Sequence, residues 1–257
     1  MSARLIREGR FVWTAVAFLT RLPTPTLAGF EDTWLAGALV YFPLVGALVG
    51  LAAAVVYRLA SLLWPPAIAA LAAVAASAAV TGGLHEDGWT DLFDALAASR
   101  DRERMLAVMR DSRIGASGAL ALVLLVVGRV AALAALPAAQ APAALLAVHA
   151  LSRWTTLPLA WRLPYARPAG GLGRPLAGRV SGRRVAAGTA LAVLIAALAL
   201  GSSAIPALAA VAAVAVAAGL FFRARLGGIT GDCLGATIQL AELTILLVLA
   251  ARWPAAS

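Results

Sequence analysis

A chain of 257 residues that is 62% hydrophobic and only 13% charged, with a mean hydropathy of +0.90, carries too much apolar surface for one water-facing domain. The net charge of +9 comes from 21 basic residues, all arginine, and their placement along so apolar a chain argues for a membrane rather than nucleic acid. Cys233 is the sole cysteine, which excludes an intramolecular disulfide and a cysteine-built zinc site and leaves a buried, inert thiol.

The N-terminal segment MSARLIREGRFVWTAVAFLTRLPTP has basic residues and an apolar run but no small-residue cleavage site, and reads as a retained interfacial helix. Apolar stretches then follow at 35–57, 66–83, 115–136, 143–161, 185–201, 204–222 and 234–251. Each approaches the roughly 20 residues that a helix needs to cross about 30 Å of hydrocarbon. The expectation is an all-α, polytopic membrane bundle of about seven transmembrane helices in a single domain. A soluble alanine-rich protein would need polar stripes every 3.6 residues, and VAAGTALAVLIAALAL (185–200) has none.

Placing the N-terminus in the cytoplasm puts 17 arginines on that side and only Arg58 and Arg252 on the other. Every acidic loop residue then faces the cytoplasm, as expected for a multi-pass protein of the inner membrane with its active site inside. Arg129 and Arg153 fall within spans, where a charge usually faces a protein interior or a water-filled cavity, and Arg153 is counted among the substrate contacts. The segment 162–184, rich in Gly, Pro and Arg, reads as a mobile loop that serves as a topology anchor or as a lid over an anionic substrate.

Negative charge gathers in GGLHEDGWTDLFDAL (82–96). On a helix, Asp87, Asp91 and Asp94 lie at 0°, about 40° and about −20°, on one face. Three such carboxylates repel one another unless a cation sits between them, and hard oxygen ligands suit Mg²⁺ or Mn²⁺. The alternative is a solvated acidic face paired with nearby arginines. Glu86 points about 100° away and is a weaker ligand candidate. His85 reads as a structural group, as a support for the ligands or as a general base, and is kept as a catalytic candidate.

Downstream, Arg110-Asp111-Ser112-Arg113 precedes a span: Asp111 completes a metal site, acts as a base or caps a helix, while Arg110, Ser112 and Arg113 clamp phosphate or anchor the span. In GGITGDCLGATIQLAEL (227–243), Asp232, Gln239 and Glu242 fall within an arc of about 80°, so one polar stripe enters the membrane. With no lysine there is no Walker-type loop, and no serine elbow or paired-histidine motif is present. What remains is metal-dependent phosphoryl transfer at a cytoplasmic membrane surface.

Four motifs, in order, carry a resemblance to a known family. They are Phe18-Leu19-Thr20-Arg21-Leu22-Pro23-x-Pro25; Gly82-Gly83-Leu84-His85-x-Asp87-Gly88-x-x-Asp91-x-x-Asp94; Arg104-Met105-Leu106-x-x-Met109-Arg110-Asp111-Ser112-Arg113-x-Gly115; and Thr230-Gly231-Asp232-x-Leu234-Gly235-Ala236. Together they resemble the cobalamin synthases, the adenosylcobinamide-GDP ribazoletransferases, over about residues 11 to 249. The resemblance implies a glycophosphotransferase that joins adenosylcobinamide-GDP to α-ribazole, or its 5′-phosphate, with Mg²⁺, and releases GMP. It implies a metal site at Asp87, Asp91 and Asp94, catalytic roles for Asp111, His85 and Asp232, and substrate contacts at Thr20, Arg21, Arg110, Ser112 and Arg113. The implied partners are these small molecules and the bilayer, with no nucleic acid, and a homo-oligomer is allowed. Glu86 stands where the family usually has an apolar residue, and Gln239 where it usually has Glu. A CDP-alcohol phosphotransferase is the nearest rival, but its Asp-Gly-x-x-Ala-Arg opening is absent. A transporter would more often place its acids at the midplane of repeated halves, and no internal repeat is evident.

Overall fold

The computed structural model describes residues 3–25, 32–167, 174–176 and 180–251. Parts of the 162–184 loop, with Arg179, and the topology marker Arg252 lie outside the described residues. The remainder is all-α: α1 (Ala3–Leu19), α2 (Asp32–Ala38), α3 (Phe42–Ala60), α4 (Pro66–Thr81), α5 (Leu84–Ala98), α6 (Arg102–Val108), α7 (Ala116–Ala134), α8 (Ala141–Trp154), α9 (Thr156–Arg162), α10 (Gly182–Leu200), α11 (Ala204–Leu226) and α12 (Gly231–Ala250).

Among the described residues, four helical stretches are long and apolar enough to cross a membrane: Thr33–Ala60, Ala116–Ala134, Gly182–Leu226 and Gly231–Ala250. The pair α4 and α5 makes a fifth if it counts as one bent span. These stretches expose large side chains to their surroundings, among them Leu120, Val123, Leu124 and Val127 on α7 and Val216 and Leu220 on α11. In water such a belt would be a liability; in hydrocarbon it is the expected surface. Gly182–Leu226 is not one rod, since Gly201 with φ 57° breaks it. Gly188, early in α10, packs on Leu157 of α9, and Gly219, late in α11, packs on Leu159, so the two helices double back as a hairpin.

Two expected spans are interrupted. The stretch over 66–83 ends at Thr81, because Gly82 and Gly83 both adopt φ near +70°, a conformation costly for residues with a Cβ. The chain then turns by 92°, so α5 runs across the end of the bundle and not along it. The stretch over 143–161 is split at Thr155 into α8 and α9 and does not qualify by length as a span. Helix α8 is nonetheless the centre of the molecule, with every residue from Ala147 to Arg153 buried. Gly46 and Gly50 on α3, four residues apart, bring the α3 backbone against the α8 backbone; a Cβ at Gly50 would stand 2.8 Å from Leu146 Cα. Small residues at this spacing are how helices pack where lipid supplies no hydrophobic drive.

Candidate active site

The N-terminal end of α5 and the first turn of α12 make the site, and two glycines set their separation. A Cβ on Gly88 would lie 2.8 Å from the Asp232 carbonyl oxygen, and one on Gly235 would meet His85 backbone at 3.3–3.4 Å. Only bare backbone allows that approach. It brings Asp87 and Asp91 of α5 beside Asp232 of α12. Thr230 caps α12 by accepting from the Cys233 N–H and also donates to the Asp232 carboxylate at 3.2 Å. Cys233 is buried and unpaired, as expected.

Opposite these acids stands Arg167. Its guanidinium pairs with Asp232 at 2.6 Å and donates to the Met109 carbonyl at 3.3 Å. The segment carrying it is tied to the start of α12 by a short parallel bridge between Tyr165 and Ile229, with Ala166 N–H donating to Ile229 O and Ile229 N–H to Pro164 O, both at 2.9 Å. Arg102 of α6 fastens the same segment through the Leu226 and Ala166 carbonyls. Sequence reasoning named neither Arg167 nor Tyr165; the Arg-rich character of the loop was the available signal.

Asp87 and Asp91 accept no hydrogen bond and make no ion pair through their carboxylates among the described residues. Burial chiefly, then the charges of Asp87 and Asp232, with a smaller push from Asp94, raise the Asp91 carboxyl to about 7; Arg167 opposes them. Asp87 lines a cavity of about 240 Å³. Its wall is apolar in Phe18, Leu19, Phe42, Leu176, Leu234 and Ile238, and polar at Asp87, Asp232, Arg167 and Tyr165, with His85 and Thr156 also facing it. A second, more polar cleft adjoins it, formed by Thr20, Arg21, Thr81, Gly82 and Gly83 and sharing Phe18, Leu84 and Asp87 with the first. Thr20 and Arg21, expected from the first motif, are therefore at the site. As the side chains stand, no three His, Cys, Asp or Glu converge as a metal cage among the described residues.

Asp94 lies about 10 Å along α5 from Asp87, by the helical rise. Its two oxygens accept the N–H groups of Gly115 and Gly118, each at 2.7 Å, which caps the start of α7. Gly118 is glycine because a Cβ would press on the Thr90 carbonyl at 2.8 Å. Asp94→Ala removes both acceptors and is expected to lower stability by about 1 kcal/mol. A lowered thermal midpoint in detergent, with Asp94→Asn falling between Asp94→Ala and the unmodified protein because its amide keeps one acceptor of the two, would confirm the cap; an unchanged midpoint in Asp94→Ala would refute it.

Asp111 and Arg113 pair with each other at the surface at 2.5 Å, and this bond holds the Asp111 carboxyl down at about 2. They line a separate cleft with Asp94 and Gly115, and Arg110 and Ser112 are exposed on the same segment. The structure thus does not bring this motif to the cavity that holds Asp87 and Asp232.

Arg153 is placed behind the site rather than in it. It is 2% exposed, pairs with Glu242, accompanies Ser152 and His149, and reaches His85 Nδ1 at 3.5 Å. Arg129 pairs with Glu242 at 2.5 Å and Glu86 at 3.3 Å, and donates to Gln239 at 2.9 Å and Ser77 at 3.3 Å. Two arginines and two glutamates therefore close one buried network joining α4, α5, α7, α8 and α12. Glu86, which faces away from the aspartates as its angle predicts, has its partner here.

Fold and site define a multi-pass helical membrane protein that sets carboxylates and arginines around a cavity at one end of its bundle. The chain belongs to the cobalamin-5-phosphate synthase family, whose model matches residues 11–250. It is 42% identical over 254 residues to the adenosylcobinamide-GDP ribazoletransferase of Leptothrix cholodnii, covering 95% of this chain and 96% of that one. It is likewise 42% identical over 256 residues to that of Ralstonia nicotianae, covering 98% of each, and 36% identical over 245 residues to that of Escherichia coli, covering 93% and 99%. No solved structure gives a significant match. The family makes the chain a membrane transferase of cobalamin biosynthesis.

Proposed function

We propose that the protein transfers the phosphocobinamide part of adenosylcobinamide-GDP to a hydroxyl of α-ribazole or its 5′-phosphate, releasing GMP, with the site and the N-terminus on the cytoplasmic face of the inner membrane. The observation that carries this reading is the pair of carboxylates, Asp87 and Asp91, left without hydrogen-bond partners among the described residues beside Arg167 and a cavity. Such a donor set fits a hard divalent cation: unpaired carboxylate oxygens, and mutual repulsion that helps to raise Asp91. Asp87 and Asp91 would hold Mg²⁺, with Asp232 adjacent. When bound, the ion supplies positive charge to the phosphate oxygens.

The rest is assigned to the chain's own groups. Arg167 contacts a non-bridging phosphate oxygen through its fork of N–H donors. Its release from Asp232 on substrate binding leaves that carboxylate to accept the proton of the ribazole hydroxyl. The hydroxyl oxygen forms a bond to the phosphorus that carries the cobinamide arm, the bond from that phosphorus to the GMP oxygen breaks, and GMP leaves with the electron pair.

The test is direct. Purified protein, adenosylcobinamide-GDP, α-ribazole and Mg²⁺ should yield cobalamin and GMP in equal amounts; EDTA should stop the reaction and excess Mg²⁺ restore it. Absence of both products would overturn the activity, and turnover undiminished in EDTA would overturn the metal.

A further inference from the structure

Two compartments meet at Asp87. One is the 240 Å³ cavity with its predominantly apolar wall; the other is the polar cleft of Thr20, Arg21, Gly82 and Gly83. Phosphoryl transfer places the attacking and leaving oxygens roughly in line, on opposite sides of phosphorus. With phosphorus held at Asp87, which lines both compartments, one is available to the acceptor and the other to the leaving group.

Wall chemistry decides which is which. Asp87, Asp232 and Arg167 are assigned to the phosphate and the attacking hydroxyl, Thr156 donates to the Arg153 carbonyl at 2.8 Å and His85 lies 3.5 Å from Arg153, so among the described residues the buried, unpartnered Tyr165 hydroxyl is what remains for a base. A guanine base, with several donors and acceptors along its edges, would lose hydrogen bonds to water there with a single hydroxyl to replace them. A flat apolar ring bearing methyl groups would not. The volume sets a second limit, since it falls below the roughly 300–1,000 Å³ of pockets that bury a drug-sized ligand, so a corrin ring stays outside and one small ring system enters. The adjoining cleft offers Arg21, which is exposed and makes no ion pair among the described residues, draped over Gly82, where a Cβ would stand 2.8 Å from the Arg21 Cγ. An exposed guanidinium without an ion-pair partner, in a cleft that touches Asp87, is chemistry for a phosphate monoester.

We propose that the cavity seats the benzimidazole base of the ribazole acceptor and that the Arg21 cleft receives the departing GMP. This rests on the ribazole-transfer reading above and adds a direction to it: the acceptor attacks from the apolar compartment and the nucleotide leaves toward the polar one. Ile238 and its neighbours on α12 become specificity-determining for the base, and Arg21 for the nucleotide.

Steady-state kinetics with each substrate varied in turn separate the two compartments. Arg21→Gln, a surface change that leaves the fold intact, is expected to raise the KM for adenosylcobinamide-GDP and the inhibition constant of GMP about tenfold while the KM for α-ribazole stays within about twofold. Ile238→Phe, which shortens the cavity, should do the reverse. Unmodified protein gives an independent arm: among α-ribosides as acceptors, 5,6-dimethylbenzimidazole should have the lowest KM, benzimidazole a higher one, and adenine one at least about tenfold higher. A reversed pattern, both KM values moving together in Arg21→Gln, or a flat acceptor series overturns the assignment. Failure of the unmodified protein to release any GMP overturns the underlying activity instead.

Discussion

Asp87→Asn is expected to lower the rate of GMP release by at least about two orders of magnitude, because several kcal/mol of charge stabilisation at phosphorus depends on the ligand lost. The same exchange should leave the thermal midpoint unchanged or slightly raised. Asp87 has no hydrogen-bond partner to lose among the described residues, and its charge is one of those that repel Asp91. Activity and stability thus move apart, which a misfolded variant would not show. Retention of more than about half of the rate would remove Asp87 from the chemistry and, with it, the two-compartment arrangement of the site.

Glu242→Gln should act the other way, on the fold before the rate. Glu242 is fully buried and is the shared partner of Arg129 and Arg153. Its replacement leaves Arg153 without a carboxylate among the described residues and Arg129 with Glu86 alone. Breaking a buried pair by removing one partner costs about 3–5 kcal/mol, since the remaining charge keeps its desolvation penalty and loses its compensation. The loss should be read as a lower midpoint in detergent unfolding and poorer recovery from membranes. Gln239 already accepts from Arg129 at 2.9 Å, so Gln239→Glu added to Glu242→Gln returns a charge to the cluster and should regain part of the midpoint. If it regains nothing, charge is not what Glu242 contributes.

How far the sequence carried these features depended on how local their causes were. Helices α7, α11 and α12 follow from a run of apolar residues of sufficient length, a property readable at each position without reference to any other. The 92° turn after Thr81 was foreshadowed by Gly82-Gly83, although nothing nearby says that α5 then crosses the bundle end. Helical spacing put Asp94 on the same face as Asp87 and Asp91, but the two N–H groups that it caps lie 21 and 24 residues further along, beyond the reach of any periodicity.

Arg129, Arg153 and Glu242 were each conspicuous as charges in apolar segments. That they form one cluster follows only when α7, α8 and α12 meet, and that meeting places Arg153 against His85 and away from the substrate cavity. Arg167 was the least legible, because it sits in a Gly- and Pro-rich loop with no repeat in its pattern. Its position is fixed by a bridge between residues 165 and 229, a pairing that the fold as a whole creates.

The buried cluster has an electrical consequence. Its two arginines, Arg129 and Arg153, are matched by its two glutamates, Glu86 and Glu242, and the formal charges of these four groups cancel. A membrane potential does work of about 2.3 kcal/mol per 100 mV on each net elementary charge that it moves. Here it finds no net charge to move, so energising the membrane leaves the framework beneath His85 and Asp87 in place. A voltage sensor or an ion carrier is built the opposite way, with unbalanced charge free to travel; this core is wired to stay still while the reaction proceeds at its edge.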